Sequence, residues 1–372
     1  MFKFLDNYIK VIDWYIIKKY LGTFVFTLSL FLVIIVVFDV SEHLDDFLKS
    51  HAPVSAIIFQ YYGGYLPYYA NLLLPLINFL AVIFFTAKMA NQTEIVPILS
   101  GKVSFNRFLR PYFISSSVIF FFFFLGNVYF IPYTNKLSVD FDNTYTNGGS
   151  DPTQKELHMQ LDKHTFIYLQ TFDNVVHTGY NFTLEKFDGD DLKQKLTAQR
   201  IVFDSLKHSW NIQDYQVRYV NGLKEKFIDG TGKNKDTILD LRPSDFEANS
   251  DINNNIYRAI STSDLSKNIE KEKIRGTGRL VELQLEKYRR FVYPFSAFVL
   301  TLIGVSISSR KVRGGIGLPL GIGILLCFLY IVLDRFANVF SLKANLPPII
   351  AVFIPNVLFG LTGLYLLRKA PK

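Results

Sequence analysis

The sequence predicts an α-helical membrane protein with six transmembrane helices and an all-β, jelly-roll-like domain inserted between the third and the fourth. The 372 residues are 49% hydrophobic and 16% aromatic, with 36 Phe, which is more apolar than a soluble chain of this length. The apolar residues crowd into the two ends. The middle, Thr134 to Leu280, is polar and slightly acidic, with 20 Lys and Arg against 22 Asp and Glu. The whole chain carries +8, so its positive excess belongs to the apolar ends. A basic balance placed there is a topology signal, not the footprint of a nucleic-acid binder.

A hydrocarbon core about 30 Å thick needs roughly 20 apolar residues per helix. The runs that satisfy it are Gly22 to Val40, Ile57 to Ala87, Pro111 to Ile131, Phe291 to Ser308, Ile316 to Leu333 and Ile349 to Leu367. The second is too long for a straight span and contains Pro67, Asn71, Pro75 and Asn78, so it is expected to tilt, kink or project beyond the bilayer. Before span one, Tyr8, Ile12, Tyr15 and Ile16 can share a helical face within Asn7 to Tyr20, which predicts a separate interfacial helix. No small-residue cleavage pattern follows span one, which reads as a retained span and not a cleaved signal.

Orientation follows from Lys and Arg in the short loops. Lys3, Lys10, Lys18 and Lys19 precede span one, and Lys88, Lys102, Arg107 and Arg110 separate spans two and three. Arg310, Lys311 and Arg313 separate four and five, and Arg368, Lys369 and Lys372 end the chain. All these segments are expected in the cytoplasm. The acidic stretch after span one, Asp39, Glu42, Asp45 and Asp46, fits the other side, as does the central domain. Arg335 and Lys343 in the last outer loop are isolated exceptions. The expected divisions are 1-133, 134-280 and 281-372.

Within the middle, His164 to Thr171, Phe182 to Phe187, Leu196 to Asp204, Ser209 to Tyr219 and Lys224 to Asp229 alternate and are rich in β-branched or aromatic residues. Turn pairs such as Asp188-Gly189 and Asn221-Gly222 separate them, which predicts a small sandwich or jelly-roll-like sheet. Asn249 to Lys273 reads as a polar connecting helix or loop.

Several chemistries are excluded or weakened. A phosphate-binding GxxxxGK[ST] loop is absent, the nearest text being Gly101-Lys102-Val103, so the chain does not hydrolyse ATP by that route. Neither HExxH nor GxSxG occurs, and His43, His51, His158, His164, His177 and His208 have no ligand spacing. One cysteine, Cys327, builds neither a disulfide nor a thiolate metal site. No cofactor is implied. Asp39 and Asp334 lie at the ends of their spans, which weakens an ion-coupled transporter, since such chemistry keeps acids mid-span.

Three constellations remain. Asn91 to Gly101 has a polar start, Glu94, an apolar stretch from Ile95 and a Ser100-Gly101 stop. It reads as a short helix against the inner face, or as a plain amphipathic loop capped by Glu94. Glu286-Lys287-Tyr288-Arg289-Arg290 with Pro294 sets positive charge at the outer start of span four. Such cations bind anionic head groups or simply anchor a helix end. Gly304, Gly314, Gly315, Gly317, Gly321 and Gly323 around spans four and five allow close or sliding helix contact, or plain static packing.

Together these segments resemble the LptF/LptG (YjgP/YjgQ) family of lipopolysaccharide-export ABC transporter permeases over nearly the whole chain. The carrying residues are Ile12-Asp13-Trp14-Tyr15-Ile16, Thr93-Glu94-Ile95 with Ser100-Gly101, Pro294, Ile303-Gly304, Pro347-Pro348-Ile349, Phe353-Ile354-Pro355-Asn356 and Leu364 to Lys369. The text before span one and Val332-Leu333-Asp334 look more like the LptG branch. The resemblance implies a transporter subunit, not an enzyme, in the bacterial inner membrane. Its implied partners are a cytoplasmic ABC ATPase dimer, a paralogous permease, a single-span periplasmic lipopolysaccharide-binding protein, a periplasmic bridge protein and lipopolysaccharide itself. It casts Glu94, Ile95, Ser100 and Gly101 as the coupling helix, and the β domain as the part that receives lipid. Acids at Glu42, Asp45 and Asp46 stand where basic residues are expected, leaving Lys49. Lys49, Lys287, Arg289 and Arg290 are the candidate head-group contacts. Rival classes are a non-transporting scaffold that displays the β domain and an ion-coupled lipid flippase.

Overall fold

The computed structural model describes residues 10–49, 51–146, 153–173, 175–239, 241–243, 246, 257–276, 279–310 and 315–369. Lys3, Asn7, Tyr8, Lys311, Arg313, Gly314, Lys372 and connector residues 249–256 lie outside these. Two compact units form: Met1–Thr146 with Arg258–Thr262 and Gln284–Lys372, and Asn147–Tyr257 with Ser263–Leu283.

In the first unit, α1 (Val11–Lys49) is one unbroken helix of 39 residues, so the expected interfacial element and span one are a single rod. Its buried residues Asp13, Ile16, Ile17, Tyr20 and Phe24 recur at three- and four-residue spacing and form one stripe. Ile12 and Tyr15 of the expected face are exposed instead. The long second run divides into α2 (Val54–Ala56), a π-helical turn (Ile57–Tyr61), α3 (Tyr62–Leu72) and α4 (Leu74–Asn91). The break falls at Leu73, with φ −91° and ψ 2°. Pro75 follows in the first turn of α4, where a missing N–H costs nothing.

The remaining helices are α5 (Ile95–Ser100), α6 (Phe105–Leu125), a π-helical turn (Gly126–Phe130), α7 (Ile131–Phe141), α8 (Thr262–Arg275) and α9 (Leu280–Val292). A 3₁₀ turn (Tyr293–Phe295), α10 (Ser296–Ser308), α11 (Gly317–Lys343) and α12 (Pro348–Lys369) complete them. Among the described residues six stretches are long and apolar enough to cross a membrane: Val11–Lys49, Leu74–Asn91, Phe105–Phe141, Leu280–Ser308, Gly317–Lys343 and Pro348–Lys369.

Helix α4 is the centre of this unit, with Leu74, Ile77, Phe79, Ala81, Val82 and Ile83 fully buried. Two of the singled-out glycines face it. A Cβ at Gly304 would meet Val82 at 2.8 Å, and one at Gly323 would meet Ile83 at 2.2 Å, so α10 and α11 pack on α4 only because these positions are bare. Gly317 and Gly321 have open space around them. A buried polar cluster ties α1 to α4 and α10: the Tyr20 hydroxyl donates to Asn78 Oδ1 at 2.6 Å and lies 2.8 Å from Thr301 Oγ1. The Asn78 amide donates to the Ala297 carbonyl at 3.1 Å.

The second unit holds one six-stranded antiparallel sheet in the order β1-β2-β3-β4-β5-β6, with β1 Thr153–Asp162, β2 Thr165–Asp173, β3 Thr178–Asp188, β4 Asp191–Asp204, β5 Ser209–Asn221 and β6 Lys224–Thr237. An inserted β domain is therefore present, and among the described residues its strands run as a consecutive antiparallel meander. The reason is local. Each strand is joined to the next by a short turn, and Gly189 and Gly222, at φ +62° and +60°, supply the positive φ that the tightest ones require. One sheet face buries Ile167, Leu169, Phe182, Leu184, Leu196 and Val217. Trp210 is fully buried and its indole N–H donates to the Leu241 carbonyl at 3.0 Å.

Candidate functional site

Two polar groupings occupy opposite ends of the helical unit. The first surrounds α5. Thr93 and Lys102 flank this helix with φ of 59° and 64°, so the chain turns sharply before and after six residues. Gly101 itself has φ −74°. Its bareness serves close approach instead, since a Cβ there would sit 3.3 Å from the Pro97 carbonyl oxygen. Ile95 is buried in the core with Ile16 and Tyr20, whereas Val96, Pro97 and Ser100 are exposed. Helix α5 thus anchors one side chain and presents a mildly apolar ridge. Glu94 occupies the N-cap position but its side chain does not cap the helix. Its carboxylate accepts from the Tyr15 hydroxyl at 3.1 Å.

The same end holds an ion pair that sequence reading missed. Arg107 donates through both terminal nitrogens to the Asp13 carboxylate, at 2.7 and 2.5 Å. Asp13 is 4% exposed. The two residues are 94 apart in sequence, and no local pattern announces their meeting.

The second grouping lies at the other end of α9, α10 and α11. Arg289 donates to Asp334 at 3.0 Å and stacks on Tyr293. Arg290, one residue on, turns to a different face and is 3% exposed. It donates to Glu286 at 3.0 Å, to the Ile260 carbonyl at 2.9 Å, to Thr262 Oγ1 at 3.1 Å and to the Arg258 carbonyl at 3.2 Å. Arg290 is thus a clamp that holds residues 258–262 against α9. Lys287 is half-buried and pairs with no acid among the described residues. Lys49 is the exposed last residue of α1.

A small cavity opens beside Arg289, lined also by Tyr68, Asn71, Asn127, Asn135 and Arg258. The Arg258 guanidinium lies 4.2 Å over the Tyr68 ring. Asn135 is 8% exposed, and its amide nitrogen has no hydrogen-bond partner among the described residues. The structure brings Arg289 and Arg290 to this cavity but not Lys49 or Lys287. Arg258 and Asn135 were not singled out from sequence, since a lone Arg and a lone Asn carry no spacing signal.

Asp39 is 2% exposed and accepts hydrogen bonds from Tyr61 at 3.0 Å and Tyr62 at 2.9 Å, with His43 Nδ1 at 3.2 Å. Both end-of-span acids, Asp39 and Asp334, are therefore buried and partnered. No group of three or more His, Cys, Asp or Glu suited to hold a metal occurs among the described residues.

Among the described residues, six helices apolar and long enough to cross a membrane, with an antiparallel sheet inserted between them, define a multi-pass membrane protein. The family described as lipopolysaccharide export system permease LptF/LptG matches residues 14–369, and the chain belongs to it. No curated protein matches the sequence.

Proposed function

We propose that this permease is the membrane subunit of an ATP-driven exporter that extracts lipopolysaccharide from the inner membrane, with hydrolysis performed by a separate ATPase. The observation that carries the reading is α5. A six-residue helix held by Ile95, with Val96, Pro97 and Ser100 turned outward, suits the groove of a partner subunit, and the chain has no phosphate-binding loop of its own. Lys10, Lys18, Lys19, Lys88, Lys102, Arg110 and Arg310 cluster by topology at the α5 end. That is the cytoplasmic end by the positive-inside rule. The sheet domain then lies in the periplasm, where it receives lipid for the single-span partner and the bridge protein.

At the periplasmic end, Arg289, Arg258 and the Asn135 amide, whose nitrogen has no partner among the described residues, form the favoured seat for a lipid phosphate, because guanidinium cations beside an amide donor stabilise that anion by charge-assisted bonds. Lys287 and Lys49 contribute long-range attraction at the rim. Along α1 the side chains of Val25, Phe26, Val33, Val37 and Phe38 are exposed. A paralogous permease or lipid covers this face.

The test is co-purification in mild detergent. A nucleotide-binding subunit is expected with the wild-type chain, and a Glu94→Lys variant is expected to lose it or its lipid export. Recovery of no ATPase with the wild type would favour a scaffold role.

A further inference from the structure

Asp13 and Arg107 hold the same position in two different helices. Asp13 is the third residue of α1 and its carboxylate accepts the Lys10 backbone N–H at 2.9 Å, half of a capping box. Arg107 is the third residue of α6, and its backbone N–H reaches the N-cap Ser104 hydroxyl at 3.3 Å. A cation in the first turn opposes the helix dipole. What offsets this is the two-pronged bond to Asp13, a geometry specific to the planar guanidinium. The carboxylate is nearly solvent-free, so salt screens the pair weakly.

On the other side of α5, Tyr15 donates to Glu94. The segment from Glu94 to Arg107, which carries α5, is therefore tied at both ends to the first turn and a half of α1: by Tyr15 at Glu94, just before α5, and by Asp13 at Arg107, in the first turn of α6. Ile95 belongs to the same buried core as Ile16 and Tyr20. Beyond Phe24, α1 loses part of its cover: Leu28 and Phe31 still pack against the core, but from Val25 to Phe38 no side chain is fully buried until Asp39 meets Tyr61 and Tyr62.

We propose that Asp13, Tyr15 and Arg107 are positioning residues that latch the start of α1 to α5, so that any displacement of α5 is delivered directly to the α1 span. The proposal rests on the reading of α5 as the ATPase-docking helix. A continuous helix is stiff over this length, and the stretch beyond Phe24 is packed more thinly than the latched end, with Leu28 and Phe31 as its core contacts, so a push at the latch tilts or shifts the lipid-facing part of α1. The polar cluster at Tyr20 is the pivot, because it fixes α1 to α4 and α10 near the same end.

The experiment uses the full chain in complex with its ATPase and companion subunits, in proteoliposomes containing lipopolysaccharide. Variants are Arg107→Gln, Tyr15→Phe, their combination, and the exchange Asp13→Arg with Arg107→Asp. Lipopolysaccharide extracted per ATP hydrolysed is measured, together with the distance between spin labels at Lys18 and Ser100, both exposed. The latch predicts that the combined variant loses about tenfold in extraction per ATP, within the range of coupling between protein sites, while ATP hydrolysis continues. It also predicts that the label distance broadens and that the exchange restores both. Extraction per ATP within twofold of wild type, or a loss that the exchange leaves untouched, overturns the latch. A wild-type complex that extracts nothing with ATP overturns the docking reading instead.

Discussion

Replacing Arg290 by Met separates a lipid contact from a structural clamp. The side chain is 3% exposed and satisfies Glu286, the Ile260 and Arg258 carbonyls and the Thr262 hydroxyl. Met fills a similar volume but donates nothing. It strands the Glu286 carboxylate and leaves two carbonyls short of a partner. Removing one member of a buried ion pair costs about 3–5 kcal/mol, because the remaining charge keeps its desolvation penalty. A unit of this size shifts its melting temperature by about 2–4 °C per kcal/mol, so the expected fall is on the order of 10 °C. Lys287→Met, at a half-buried position with no paired acid among the described residues, is expected to move it by less than about 2 °C, as surface changes do. The assay is thermal unfolding of the detergent-purified chain followed by tryptophan fluorescence, with limited proteolysis near residues 258–262 as a second readout. An Arg290→Met melting temperature within about 2 °C of wild type, well inside the range of surface changes, would refute the clamp.

Other expectations are independent of it. Gly64→Ala places a Cβ 2.4 Å from the Thr134 carbonyl oxygen and 2.7 Å from Ser138 Cβ. Because the first obstacle is backbone, α3 and α7 must part, at about 1–3 kcal/mol, read as a lower melting temperature, whereas Gly321→Ala, with open space, leaves it unchanged. Asn78→Leu removes the partner of Tyr20 in the core and is expected to cost about 1–3 kcal/mol, measured the same way. In the sheet, hydrogen bonds from Thr231 hold the Asp229 carboxyl below its usual range, and those from Asn211 and Lys207 do the same for Asp236. A depressed folded-state pKa contributes stability above the unfolded value near 3.9 and loses it as pH falls further. Hydrogen exchange in the whole chain is therefore expected to show β6 protection constant from about pH 7 to 5 and reduced below about pH 4.

The spans were legible because burial in lipid requires long apolar runs, and no other structure needs them. The break in the second was legible in kind, from Pro67 and Pro75, but its place at Leu73 depends on how Pro75 enters the first turn of α4. Strand β1 escaped because Thr153–Asp162, with sequence TQKELHMQLD, has a single β-branched residue and no aromatic one. Its pairing comes from β2 alone.

The sheet also bears a crease that no single strand reveals. Gln170, Asn181, Gln199 and Asp214 drop out of the pairing at one level across four strands, and Asn181 and Asp214 have φ of 51° and 50°. The register is the same on both sides of these positions from β2 to β5, and at this level it shifts only between β5 and β6, between Gln213 and Tyr215. Unpaired residues of this kind bend the strands they interrupt. They switch the buried face from Leu169 to Phe172 in β2, which strict alternation does not foresee.

At the site, the Glu94 segment was legible as a short helix that ends at Ser100 with Gly101 at its C-cap, whereas the left-handed turn at Lys102 just beyond was not foreseen. The basic run Lys287 to Arg290 was visible as charge. Its division into a clamp, a cavity residue and a rim residue was not, because one helical step of about 100° sends neighbours to different faces. Pairings across long separations, Asp13 with Arg107 and Arg258 with Tyr68, have no local signature at all.

The central claim, that this permease exports lipopolysaccharide on force received through α5, is tested most directly by lipopolysaccharide release from proteoliposomes holding the chain, its ATPase and its companion subunits. Release to an added periplasmic acceptor is predicted to require ATP and to be abolished by Val96→Arg on the exposed ridge of α5. Release that proceeds at the same rate without ATP, or that the Val96→Arg variant leaves unchanged, would contradict the account.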